Sequence, residues 1–270
     1  MIPTAPLRPG DLTRRGAAAG LLLAAAPTGA RAQPLEAWRA YAARLRRGAE
    51  DASIGWRPEA ERALLAFTNA FRAKQGLPPL APEAELAAVA RGVAADILLR
   101  GFFDHLSPEG FSPSARVGLL ARSLCGVPGE NIARGTRRIE PTGRNLADFW
   151  WDSPEHRANM ARPVYTHAGH GVAVRGTGFA AVAVFLQLQA RLPAPAPLEL
   201  PAAGLRPLLA RAQPAVTRLA LEPAAPGGAH EKGVEPLEGA PPAGLWRLRP
   251  FVPREGGGWL VTYGPVVALT

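Results

Sequence analysis

Apolar residues recur along this chain with helical spacing in four stretches and with strand character in five. Over 34–47, Leu35, Trp38, Tyr41 or Ala42, and Leu45 fall on one face and predict an amphipathic helix, with Arg39, Arg44, Arg46 and Arg47 on its wet side. A second helix is predicted over about 58–75. Pro58 opens it, Leu64, Phe67 and Phe71 stack at i, i+3 and i+7, and Gly76 then Pro78 end it. A third, about 82–100, has Pro82 in its first turn, a stripe of Leu86, Val89, Val93 and Ile97, and Gly101 at its exit. The fourth, about 142–152, turns Leu146, Phe149 and Trp150 inward.

Strands are predicted at 171–175 and 179–189, joined by Gly176-Thr177-Gly178 as a hairpin. The second is almost continuously apolar from Phe179 to Leu186, as a central strand covered on both faces should be. Beyond Leu192 the chain turns into Pro-Ala-Pro-Ala-Pro, a stiff linker over 191–206. Short strand-like runs follow at 216–221, 245–251 and 259–263, the last two separated by the hairpin loop 254–258. These make a small β-rich module over 207–270, too few strands for an immunoglobulin-like sandwich.

Composition alters this picture at the N-terminus. Within 1–32, Arg14-Arg15 precede an apolar stretch too short to span a bilayer, and Ala30-Arg31-Ala32 offers a small-x-small cleavage site. This reads as an export signal, of twin-arginine type or of the general secretory type, with a mature chain from Gln33 in the periplasm or outside the cell. The formal charge of the 270-residue chain is +9, and because 1–32 holds four arginines against one aspartate, the remainder keeps +6. Lys74 and Lys232 are the only lysines and the arginines are scattered, so no basic run points to nucleic acid. No later stretch is long enough for a transmembrane helix. Cys125 is the only cysteine, which rules out an internal disulfide and suits a small buried hydrophobe. A monomer is expected.

The candidate chemistry lies in three strings: FFDHLSPEG at 102–110, GENIARG at 129–135 and SPEHRANM at 153–160. They supply His105, Glu130 and His156, 25 and 26 positions apart. Two imidazoles and a carboxylate can hold a divalent cation or move a proton near neutral pH. Together with LLAFTNAFRAKQGLPPL (64–80), AAVARGVAADILLRGFFDH, the Trp-x-x-Ser-Pro-x-His-Arg-Ala-Asn run from Trp150, THAGHGVAV and AAVAVFLQ, these blocks resemble the CAP superfamily, in its bacterial SCP-like branch. The superfamily takes its name from cysteine-rich secretory, antigen 5 and pathogenesis-related proteins. The resemblance runs from about Ala63 to Gln189. It implies an α/β fold, a three-layer α/β/α sandwich over 58–190, after an N-terminal helical extension at 33–57. It also implies a shallow cleft with a His/Glu/Glu/His tetrad.

Residue by residue, the resemblance places His105, Glu130 and His156 at the cleft as metal ligands for an ion such as zinc. The second tetrad glutamate is missing: its position falls at Ser153, and Asp152 and Glu155 are the only nearby acids. Two histidines with water or one carboxylate leave open positions, as in an exchangeable site. His170 shares strand parity with Val172 and Val174, which makes it a packing histidine or a secondary ligand. Ser107 and Ser153 are the candidate nucleophiles, but no Gly-x-Ser-x-Gly elbow frames either. His230 sits in a polar turn. Three functional classes stay open on these residues: an exported module binding a divalent cation and a small or lipid-like ligand; a cell-envelope hydrolase using the same histidines; and an interaction protein with the α/β core as scaffold.

Overall fold

The computed structural model describes residues 34–136, 140–227, 234–254 and 256–270. The export-signal segment and His230 lie outside them. In chain order the elements are α1 (Leu35–Ala49), β1 (Gly55–Trp56), α2 (Pro58–Lys74), β2 (Ala81–Pro82), α3 (Ala84–Arg100), α4 (Pro113–Leu120), β3 (Leu124–Thr136), α5 (Gly143–Asp152) and α6 (Pro154–Met160). They continue as β4 (His167–Arg175), β5 (Gly178–Arg191), β6 (Glu199–Leu200), α7 (Ala202–Ala210), β7 (Arg218–Pro223), β8 (Gly244–Pro253), β9 (Trp259–Val261) and β10 (Val266–Leu269). The chain divides into two compact units. Among described residues the first holds 44–105 and 129–185, and the second holds 34–43, 106–128 and 186–270. Three of the boundaries fall inside α1, β3 and β5, and the fourth follows His105, between α3 and α4.

The first unit is built on a sheet ordered β1-β4-β5-β3, with the short β2 also paired to β4, parallel, Ala81 opposite His167. β5 alternates its apolar run between two layers. Phe179, Ala181, Ala183 and Phe185 join Leu64 of α2 and Leu146, Ala147 and Trp150 of α5 in one core, all buried. Each large side chain so buried contributes about 1.5–3 kcal/mol. The other face of β4 takes α3 at very short range. A Cβ on Gly169 would lie 2.1 Å from the Ala87 nitrogen, and one on Gly171 would lie 2.6 Å from the Ala90 carbonyl carbon. Any larger residue there would push the helix off the sheet. The result is the α/β/α layering that the resemblance implies.

Local signals explain the helix ends. Gly101 closes α3 at φ +75°, its N–H donating to the Ile97 carbonyl, as a left-handed cap requires. Thr142 caps α5 through its hydroxyl, which accepts from the Asn145 N–H at 3.2 Å. Three helices were not legible from periodicity: α4, α6 and α7 span eight, seven and nine residues. Such short helices repeat an apolar stripe too few times to declare it. The segment 191–206 contains the end of β5, the two residues of β6 and the start of α7.

The second unit carries a sheet ordered β6-β10-β8-β7, with β9 paired antiparallel to β8, Phe251 opposite Val261. Leu205 and Leu209 of α7 pack with Leu219, Leu248, Val252, Val267 and Leu269. Cys125 is buried in the same cluster, and burial pushes its thiol up to about 12, which keeps it protonated and unreactive at neutral pH. Trp38 and Tyr41 clasp Phe111, Trp38 edge-on at 4.9 Å and Tyr41 stacked at 4.2 Å between ring centres.

Candidate functional site

His105, Glu130 and His156 all belong to the first unit, each placed by a different element. His105 follows the C-terminus of α3. Arg134 of β3 holds that exit, its Nη1 donating to the carbonyl of Gly101 at 2.6 Å and to that of Phe102 at 3.3 Å. Glu130 lies on β3 and accepts at Oε1 from His105 Nδ1 at 2.8 Å. The carboxylate side chain is 1% exposed and the imidazole 21% exposed, so the acid is hidden behind a ring that still reaches solvent. A carboxylate on Nδ1–H fixes the tautomer and leaves Nε2 as the ring's lone-pair nitrogen.

His156 sits in the first turn of α6, where Pro154 opens the helix. The ring lies beside Phe149 and Trp150, with centroid separations of 6.1 and 6.3 Å. Its Nδ1 is buried and has no hydrogen-bond partner. Burial above all, with the charge of His105 adding to it and that of Glu155 opposing it, lowers its pKa to about 4. The ring is therefore neutral at pH 7.

Three residues without an assigned role lock this arrangement. Asn131 Nδ2 donates to the backbone carbonyl of His156 at 3.0 Å, while Asn159 Nδ2 donates to the Glu130 carbonyl at 3.1 Å and to Asn131 Oδ1 at 2.9 Å. The asparagines thus tie α6 to β3. Both lie within the strings that supply Glu130 and His156, which is the only signal the sequence offers for them. The third is Tyr165, whose hydroxyl occupies the space beside Gly129.

The remaining candidates lie elsewhere or are engaged. Asp152 is exposed at the end of α5. Glu155 accepts from the Ser153 hydroxyl at 3.1 Å, and its carboxyl pKa is lowered, first by its own backbone N–H and then by Ser153. Ser153 is thus directed to a carboxylate and not to an imidazole. Ser107, in the second unit, accepts the N–H groups of Glu109 at 3.3 Å and Phe111 at 3.1 Å and shapes its own turn. His170 is buried on β4, with Nε2 unpartnered and its pKa lowered to about 4 by burial. Among the described residues no group of three or more His, Cys, Asp or Glu is arranged to hold a metal ion. Of the tryptophans next to the site, Trp150 is fully buried and Trp151 stacks on Phe71 at 4.5 Å.

Residues 65–187 match the model of the CAP family, described as the cysteine-rich secretory protein family. The chain is 35% identical over 117 residues to the uncharacterised protein YkwD of Bacillus subtilis (strain 168), a match spanning 43% of this chain and 44% of that one. Among solved structures, an extracellular protein containing an SCP domain from Bacillus anthracis is 26% identical with a TM-score of 0.40, covering 47% of this chain and 40% of that one. An outer surface protein from Borrelia burgdorferi is 20% identical with a TM-score of 0.43, covering 47% of this chain and 92% of that one. The chain thus spans less than half the length of YkwD. Among the described residues no helix is long and apolar enough to cross a membrane. With its sequence blocks in family order on an α/β/α frame, the segment 65–187 matches the CAP family.

Proposed function

We propose that this CAP domain is an exported binding module in which His105 and His156 take a divalent cation such as zinc, with Glu130 orienting His105. The observation that carries the reading is the buried, unpartnered Nδ1 of His156, a residue that Asn131 ties through its backbone carbonyl to the strand whose Glu130 bonds His105 Nδ1. A buried ring nitrogen with no partner is costly, and a cation would satisfy it. Because the described residues offer no third protein ligand in place, the rest of the coordination would be water or a small or lipid-like ligand. Such a site exchanges its occupant. The export-signal pattern in 1–32 supports a periplasmic or extracellular setting.

Ser153 is hydrogen-bonded to Glu155 and Ser107 to turn amides, so neither serine supports the hydrolase alternative. Calorimetric titration of chelator-stripped protein with zinc tests the reading. Saturable binding is expected for the wild type, and its loss for the His105→Ala/His156→Ala double variant. Equal heats for the two proteins would refute it.

A further inference from the structure

The second unit buries more positive than negative charge. Among its described residues Arg116, Arg122, Arg247 and Arg249 are all buried, against the one buried carboxylate of Glu222. Two of these cations are well supplied. Arg122 donates to the carbonyls of Ala196, Pro197 and Val266. Arg249 pairs with Glu222 Oε2 at 2.8 Å, donates to the Thr262 carbonyl at 3.0 Å, and stacks on the Tyr263 ring at 4.3 Å.

Arg247 differs. It is 2% exposed, its Nη1 donates to the Ser114 hydroxyl at 3.0 Å, and its Nη2 is buried with no acceptor. Glu222 stands opposite it in the β7–β8 register and acts on it electrostatically, but its Oε2 is bonded to Arg249, its Oε1 has no hydrogen-bond partner, and no described carboxylate comes within ion-pair distance of Arg247. A guanidinium stays charged at every physiological pH, and one with a buried donor that no acceptor meets is destabilising even with Glu222 nearby. Such a group calls for an anion.

The hydroxyl that Arg247 reaches marks where the anion would sit. Ser114 lies in the first turn of α4, behind Pro113. Ser112 caps the helix, accepting from the Ala115 N–H at 3.2 Å, and its hydroxyl lies 3.3 Å from that of Ser114. A helix N-terminus carries partial positive charge, and here, with no N–H on Pro113 and that of Ala115 held by Ser112, the Ser114 N–H is the first-turn donor left for an anion. Pro113, Ser114 and Tyr263 are only half-buried, so this corner opens to solvent. We propose that the first turn of α4, with the Ser112 and Ser114 hydroxyls and the Arg247 guanidinium, binds a tetrahedral oxyanion of the phosphate type. Arg supplies the planar donor fork that such oxyanions match, and the serines supply neutral donors.

The test uses the full chain, exchanged into chloride and titrated with inorganic phosphate at constant ionic strength. Saturable binding with a rise in melting temperature is expected. Arg247→Met should abolish it, and Ser114→Ala should weaken it several-fold. Because Arg247→Met also alters a packed interior, Ser114→Asp is the decisive variant. It sets a carboxylate against Arg247, and the protein should fold and no longer respond to phosphate. No saturable binding by the wild type, or binding by Ser114→Asp equal to wild type, overturns the site. Vesicles of phosphatidylglycerol compared with phosphatidylcholine identify the source of the anion. Sedimentation with the anionic vesicles that Ser114→Asp abolishes assigns the site to a lipid headgroup, and phosphate binding without such sedimentation assigns it to a soluble phosphate.

Discussion

The hydroxyl oxygen of Tyr165 lies 2.0 Å from where a Cβ on Gly129 would begin. This contact explains why the residue before Glu130 has no side chain. Tyr165 is itself fixed, buried and stacked face to face on Phe185 at 5.5 Å between ring centres, so it cannot swing aside. Gly129→Ala should lower stability by about 1–3 kcal/mol, the usual cost of overpacking a filled interior. Urea unfolding reads the loss directly. Adding Tyr165→Phe should restore only part of it, because the ring carbon that bears the hydroxyl would still lie 2.8 Å from the new Cβ. Full recovery by the double variant would show that the hydroxyl alone sets the limit.

Glu130→Gln should change the state of His105 before it changes the fold. The carboxylate is acceptor-only toward His105 Nδ1, whereas an amide can also donate, so the tautomer is no longer imposed. Nitrogen chemical shifts of the imidazole should move toward a mixture of tautomers. Zinc affinity should fall about 10–100-fold, as for other carboxylates that orient a ligating histidine. An unchanged spectrum would mean that the ring is held by something other than Glu130.

Arg72 is a fully buried cation in the first unit, and burial lowers its pKa. It donates to four carbonyls: Pro78 at 2.9 Å, Met160 at 2.9 Å, Arg162 at 3.0 Å and Tyr165 at 3.2 Å. It thereby joins α2 to the turn that follows α6. Arg72→Lys should be nearly as damaging as Arg72→Ala, because a compact ammonium cannot reach carbonyls that diverge around a planar fork. A loss of about 3 kcal/mol or more is expected for each, since several carbonyls lose their donors together. Full stability of the lysine variant would contradict this.

His170 predicts the acid side of the stability curve. Its pKa is lowered from 6.5 to about 4 by burial, so the unfolded chain takes up a proton that the folded chain refuses. Stability from this group is present above pH 6.5, falls as pH drops through the window from 6.5 to about 4, and then levels off. The loss approaches 3 kcal/mol across the window, at about 1.4 kcal/mol per pH unit. His170→Leu should flatten that portion of the curve, as measured by urea midpoints at pH 7.5, 5.5 and 4.5. Parallel curves for the two proteins would show that His170 does not titrate in this way.

The sequence by itself determined the longer elements and the family frame. Helices α2 and α3 repeat their apolar stripe over four turns or more, and the unbroken run at the start of β5 announces a strand covered on both faces. The strings around His105, Glu130 and His156 were likewise readable, because each is contiguous. Tertiary structure alone decided what those residues do to one another. That Glu130 would bond to His105 Nδ1, or that Asn131 would hold the carbonyl of His156, depends on the strand β3, whose Gly126, Pro128 and Gly129 disguise it as a turn. The glycines are there for close approach: a Cβ on Gly126 would lie 2.3 Å from the Gln187 carbonyl oxygen. The same holds for Arg247, which in the sequence is one arginine among many. Burial is a property of the whole packed unit, and no local pattern records which cation is buried with a donor that no acceptor meets.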